Sequence, residues 1–148
     1  MRPCRRRLTQ RATSLGLRVD EPAVIDASAL VDLLLGTDHG RAVGKVLTGL
    51  AELHAPAHID AEVLSALGRL HRAGTVTTRQ VTTRLEALTR APIERHALTT
   101  LVAGAWRRRA RFRLVDALYV ELSEALGARL LTTDGRLASA VGISAITP

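Results

Sequence analysis

Four carboxylates stand where an apolar run meets a helical stretch: Asp26, Glu62, Asp116 and Asp134. Asp26 follows Ala23-Val24-Ile25, Glu62 precedes Val63-Leu64, Asp116 follows Leu114-Val115, and Asp134 follows Leu131-Thr132-Thr133. Carboxylates brought together in apolar surroundings repel one another and are driven toward protonation. A divalent cation removes that cost. Mg²⁺ takes oxygen ligands, keeps several waters and accepts only one or two carboxylates directly, so the remaining acids would hold water. No Cys pair competes for zinc and every one of the four is a hard oxygen donor, which makes a hard cation the natural occupant.

The elements around these acids decide whether they can meet. Ala23-Val24-Ile25 reads as a buried strand, followed by a helix over Ser28–Leu35 that Gly36 ends. A second helix is expected over Arg41–Leu50 and a second strand over Glu52–Ala55, stopped by Pro56. Val63, Leu67 and Leu70 give Asp60–Arg72 helical spacing, and Val81, Leu85 and Leu88 do the same for Thr78–Thr89. Ile93–His96 reads as a weak strand, and Leu98–Arg109 and Val115–Leu126 as helices. The chain then closes with a strand Arg129–Thr132, a short helix Arg136–Val141 and a last strand Ile143–Ile146. Strands alternating with helical crossovers imply an α/β sandwich, with helices flanking a central, mostly parallel sheet. In such sheets, sites form beyond the carboxyl ends of the strands, where helix N-termini also lie. All four acids are expected at that edge.

Taken singly, each acid also has an ordinary structural role. Asp26 and Asp116 suit helix N-caps, Asp134 before Gly135 suits a turn, and Glu62 suits a first helical turn. Only their joint occurrence at matching positions favours a site, and on physical grounds both readings stay open.

Composition narrows the rest. Three aromatic residues, Trp106, Phe112 and Tyr119, leave the core to Leu, Val, Ile and Ala, and argue against modules that stack bases on flat rings. A single cysteine, Cys4, excludes an internal disulfide and a Cys-rich zinc site. No apolar run approaches the ~18 residues of a membrane span, so the sequence predicts a soluble, cytoplasmic protein without membrane association. The net charge of +7 is misleading: residues 1–20 hold six arginines and one acid, so residues 21–148 carry 15 basic and 13 acidic side chains, a net +2. Residues 1–20 are expected to form a flexible basic extension. Solvated tail, RNA- or partner-binding arm and targeting peptide are all open for it. Residues 21–148 are expected to form one domain.

The segments Val24-Ile25-Asp26-Ala27-Ser28-Ala29-Leu30, His58-Ile59-Asp60-Ala61-Glu62-Val63-Leu64, Val115-Asp116-Ala117-Leu118-Tyr119 and Leu131-Thr132-Thr133-Asp134 together resemble the PIN-domain ribonucleases, in particular the VapC-type toxins of bacterial toxin–antitoxin pairs. Their order and spacing extend over residues 22–148, and the basic extension lies outside the usual pattern. The resemblance implies an endoribonuclease dependent on Mg²⁺ or Mn²⁺ that inhibits growth or translation by cleaving RNA. It implies Asp26, Glu62, Asp116 and Asp134 as the acidic cluster, with Asp26 and Asp116 at the metal and Glu62 and Asp134 positioning water or a second ion. Ser28 and Thr133 are supporting hydrogen-bonders on the same reading, or simply cap and turn hydroxyls. A cognate antitoxin and a homodimer are implied as well.

Of the other features, Arg107, Arg108, Arg109, Arg111 and Arg113 form a dense basic run before Asp116, suited either to RNA phosphates or to a solvated helix end. Trp106 is expected to pack, Tyr119 to join the core, Asp60 to cap the Glu62 helix and Asp32 to lie on a helix surface. The five histidines are scattered and read as structural. The competing functions are a non-catalytic PIN-like RNA- or protein-binding module and a phosphoacceptor protein. The first would lack one of the acids. The second would need a late lysine, yet the only lysine is Lys45, or a second Asp two residues after the first, where Ser28 stands.

Overall fold

The computed structural model describes residues 21–50 and 52–148, so the expectation for residues 1–20 lies outside the described residues. Strand β1 (Ala23–Ile25) is completely enclosed, as an all-apolar triplet in a parallel sheet should be. It is followed by α1 (Ala27–Leu35) and α2 (Asp38–Leu47), then β2 (Leu53–Pro56), α3 (Ile59–Arg72) and α4 (Thr78–Arg90). Next come β3 (Glu94–His96), a 3₁₀ turn over Leu98–Thr100, α5 (Val102–Arg107), α6 (Leu114–Leu126), β4 (Arg129–Leu131) and α7 (Gly135–Val141).

The sheet order is β3-β2-β1-β4 and every pairing is parallel. The chain builds outward from β1 to β2 and β3, then crosses back to place β4 on the other side of β1. That reversal creates a switch point between β1 and β4, where the loops leaving the two strands diverge and open a crevice. Ile25 is in register with Leu131, so both strands end at the same level. Helix α6 packs across β1, β2 and β4, while α1 packs on α2 and α3. The buried core is Leu, Val, Ile and Ala around Tyr119.

Local signals set most boundaries. Asp26 caps α1, Thr37 caps α2 through Gly40 N at 3.0 Å, and Thr77 with Gln80 forms a capping box on α4. Gly36 ends α1 in the left-handed region at φ 68°, which its missing side chain permits. Gly40 has a second requirement: a Cβ there would meet the Asp32 carbonyl oxygen at 2.0 Å, so only glycine lets α2 lie this close to α1.

Several expectations are corrected. No strand forms over Ile143–Ile146: Ile143 N–H is used on Ala138 O at the end of α7, and only Ile146 N–H reaches Thr132 O. The single helix expected over Leu98–Arg109 is a 3₁₀ turn followed by six helical residues, with the Thr100 hydroxyl bonded back to Ala97 O. Asp60 does not cap α3, which begins after His58 without a side-chain cap; instead it takes a two-point contact from Arg95 at 2.7 and 3.0 Å. Trp106 does not pack inside. It is 57% exposed, because α5 is too short to turn more than one face onto α6, and Arg109 covers its ring at 4.8 Å. No helix among the described residues is long and apolar enough to cross a membrane.

Candidate active site

The four sequence-selected acids line one cleft of about 400 Å³ at the carboxyl edge of the sheet, together with Ser28, Asp32, Arg69, Arg113 and Tyr119. Asp26 comes from the end of β1, Asp134 from the loop after β4, Glu62 from the first turn of α3 and Asp116 from the first turn of α6. A smaller hollow of about 140 Å³ shares Arg113, Asp116 and Asp134 and adds Arg111 and Arg136.

Asp26 is the most constrained of the four. It is 4% exposed, and its Oδ1 accepts from Ala29 N at 2.9 Å and from Ser28 Oγ at 2.7 Å. Its Oδ2 accepts from Thr132 Oγ1 at 2.6 Å. The two hydroxyls are themselves oriented: Thr133 N–H and Asp134 N–H donate to Ser28 Oγ, and Asp134 N–H also reaches Thr132 Oγ1. Each hydroxyl therefore accepts from the β4–α7 loop and sends its own proton to Asp26. Burial pushes the Asp26 carboxyl up to about 6, against the pull of these hydrogen bonds, and the neighbouring Asp134 adds repulsion.

Asp116 also rises from its ordinary value. Burial is the chief cause; Arg113 opposes it, while Glu62 and Asp134 raise it further. Glu62 moves the other way. Burial alone would raise it, but the close approach of His58, the hydrogen bond from Tyr119 and the charge of Arg69 outweigh that effect. Tyr119 OH donates to Glu62 Oε2 at 2.6 Å, and His58 Nε2 lies 3.2 Å from the same oxygen. Tyr119 is thus both a core residue, 2% exposed, and a holder of the site, and burial, followed by the hydrogen bond to Glu62 and its charge, keeps its phenol well above the usual value for tyrosine. Asp134 spends Oδ1 on capping α7 through Arg136 N at 2.8 Å.

Sequence reasoning missed Asp32 and Arg69. Asp32 Oδ2 accepts from Thr133 Oγ1 at 2.7 Å and Oδ1 from Thr37 Oγ1 at 2.7 Å. The signal was helical spacing: Ser28 and Asp32 are four apart on α1, and Glu62, Ala66 and Arg69 share one face of α3. Of the two threonines after β4 it is Thr132, not Thr133, whose hydroxyl joins that of Ser28 on Asp26, while the Thr133 side chain serves Asp32. The arginine run divides. Arg113 lines the acid cleft, whereas Arg108 is held by Glu121 at 2.7 Å and by Glu124, and Arg107 faces Glu121 at 3.8 Å. Arg109 covers Trp106, and Arg111 bonds the Ala140 carbonyl. The histidines are less scattered than expected, since His58 joins Glu62 and the rings of His54 and His96 face each other.

A sequence model described as the PIN domain matches residues 23–142. Ribonuclease VapC3 of Mycobacterium tuberculosis is 54% identical over 120 residues, covering 81% of this chain and 88% of that one. The chain belongs to the VapC-type PIN-domain ribonuclease toxins. A second VapC of the same organism, Ribonuclease VapC12, is 36% identical over 82% of this chain and 94% of its own. The crystal structure of M. tuberculosis VapC20, described as a sarcin-ricin loop cleaving toxin, superposes with a TM-score of 0.65 over 85% of this chain and 99% of that one. At 18% identity that likeness speaks to the fold, and the fold is the same α/β sandwich. Membership removes the phosphoacceptor reading and puts endoribonuclease chemistry in a VapC-type chain whose four acids share a cleft.

Proposed function

We propose that the acid-lined cleft is the catalytic centre of an endoribonuclease that requires Mg²⁺, or Mn²⁺ in its place, and cuts RNA to arrest growth or translation. The observation that carries this reading is the convergence of Asp26, Glu62, Asp116 and Asp134 on one cleft at the switch point of the sheet.

The donor set fits a hard cation. All four principal groups are carboxylates, and two of them, Asp26 and Asp116, are pushed toward protonation by burial and mutual repulsion that a positive ion would relieve. Asp26 receives three donors for the roughly four lone-pair sites of a carboxylate, which keeps one available. Asp26 and Asp116 would hold the ion. When bound, it supplies Lewis-acid charge to the scissile phosphate and a lowered pKa to attacking water.

The rest of the work falls to the chain itself. Tyr119 and His58 both engage Glu62 Oε2, which leaves Oε1 as the atom to orient water or take its proton. Glu62 is ionised at neutral pH, as that role requires. Arg69 and Arg113 at the cleft supply positive charge for the RNA backbone. Asp134 fixes the start of α7 through Oδ1 and lines the same cleft.

Two partners complete the proposal: a cognate antitoxin that covers the cleft and a second copy of the chain. The exposed apolar side chains of Leu64, Val102, Trp106, Leu114 and Val115 support protein–protein contact. The deciding experiment is cleavage of total RNA by purified protein. Mg²⁺ should support it, EDTA should end it, and Asp26→Asn and Asp116→Asn should each abolish it. Undiminished cleavage by either variant would remove the assignment.

A further inference from the structure

The geometry points to a second metal site, for Zn²⁺, formed by His54, Glu94 and His96 on the paired strands β2 and β3. His54 is in register with Glu94, and His96 lies two residues further along β3, so all three side chains project from one face of the sheet. Their ligand atoms lie within 4.8 Å of one another. His54 Nδ1 is 3.1 Å from His96 Nε2 and 3.4 Å from Glu94 Oε2, and His96 Nε2 is 3.7 Å from Glu94 Oε1.

The His54–His96 and His54–Glu94 Oε2 separations are close to the edge of a coordination tetrahedron, and a small turn of the exposed Glu94 carboxylate brings a single oxygen to both histidines. With zinc–nitrogen bonds near 2.05 Å, two tetrahedral ligands stand about 3.3 Å apart. Two imidazoles and a carboxylate suit Zn²⁺ and exclude Mg²⁺ as the preferred ion, which separates this site from the all-carboxylate cleft. The outer shell matches as well. His54 Nε2, the nitrogen turned away from the cluster, is 3.5 Å from Glu52 Oε2, the kind of carboxylate that fixes the tautomer of a metal-bound histidine. The His54 side chain is 7% exposed and that of Glu94 68% exposed, so the site has a buried anchor and an open mouth where water supplies the fourth ligand. Bound zinc clamps the three-residue edge strand β3 to β2. The clamp extends toward Glu62, because His96 O accepts from Ala57 N at 2.8 Å in the loop that leads into α3.

The test uses the full chain without a histidine tag, stripped of metal and titrated with ZnCl₂ in excess Mg²⁺. One Zn²⁺ per chain should bind and raise the Tm. Co²⁺ in its place should give the intense visible bands of a tetrahedral site. His96→Gln and Glu94→Gln should abolish binding, and Glu52→Gln should weaken it roughly 10- to 100-fold. Asp26→Asn should leave it intact. Far-UV circular dichroism checks that each variant is folded; Glu94→Gln, at an exposed position, keeps the test valid should His96→Gln unfold. Absence of stoichiometric binding, binding unchanged in folded Glu94→Gln, or binding lost in Asp26→Asn would each overturn the site.

Discussion

The Thr132 hydroxyl donates to Asp26 Oδ2 at 2.6 Å and so ties the end of β4 to the end of β1, across 106 residues of chain. Thr132 is 1% exposed and opposes the burial that raises Asp26. Thr132→Val keeps the shape and removes the donor. The acid limb of the pH–cleavage profile should move to higher pH, and stability should fall by about 1 kcal/mol. Thr132→Ser should restore the profile. Rates measured from pH 5 to 8, with urea unfolding alongside, check both effects.

Asp26 itself makes metal-free stability fall as pH rises. Its folded pKa of about 6 lies above the ordinary 3.8, so between those values the folded chain binds more protons than the unfolded one. The cost of ionising it in place accumulates through that window and is complete above it, at about 3 kcal/mol. Asp26→Asn has no such charge. The difference in stability between variant and native chain, followed in EDTA, should therefore grow in the variant's favour as pH rises through about 6. Saturating Mg²⁺ should diminish it.

Tyr119 holds Glu62 through its hydroxyl. Tyr119→Phe leaves His58 as the remaining partner of Oε2, so Glu62 should lose part of its downward shift and its fixed orientation. Cleavage should drop roughly 10- to 100-fold, as for other groups that orient a metal-site carboxylate. Fold stability should change by only about 1 kcal/mol. A drop in rate without a matching fall in Tm separates positioning from a packing defect.

Arg113 and Arg109 test the basic run residue by residue. Arg113 lines the acid cleft and acts on Asp116, whereas Arg109 rests on Trp106. Arg113→Ala should weaken binding of a non-cleaved RNA and reduce its logarithmic salt dependence by roughly 0.7 to 0.9. Arg109→Ala should change neither. Filter binding across a salt series distinguishes them.

Much of this was legible in the residues. Apolar triplets such as Ala23-Val24-Ile25, punctuated by Gly36, Gly127 and Pro56, place the parallel strands and the helices between them, and the four acids fall where strand ends and helix starts must lie. What escaped depended on pairing between distant segments. Choosing between Thr132 and Thr133 as the partner of Asp26 requires knowing which way the chain turns as it leaves β4. His54 and His96 become neighbours only through the β2–β3 register, 42 residues apart. Asp32 was within reach, since its spacing from Ser28 is the helical repeat, but an acid on α1 looks like solvent-facing polarity until Thr37 and Thr133 are seen to hold it.

The level pairing of Ile25 with Leu131 makes the site a matter of counting: one residue from β1 to its acid, three from β4 to its own. Length variation should therefore be distributed unevenly along the chain. Extra residues between α3 and α4, around the exposed Gly74 and Thr75, change only the tether between two helices. A single insertion between Leu131 and Asp134 would pass the hydroxyl of one threonine to the position of the other and detach Asp26 from its donor. The α3–α4 turn can drift in length, whereas an indel in those few peptide bonds would act on Asp26 as loss of the Thr132 hydroxyl does.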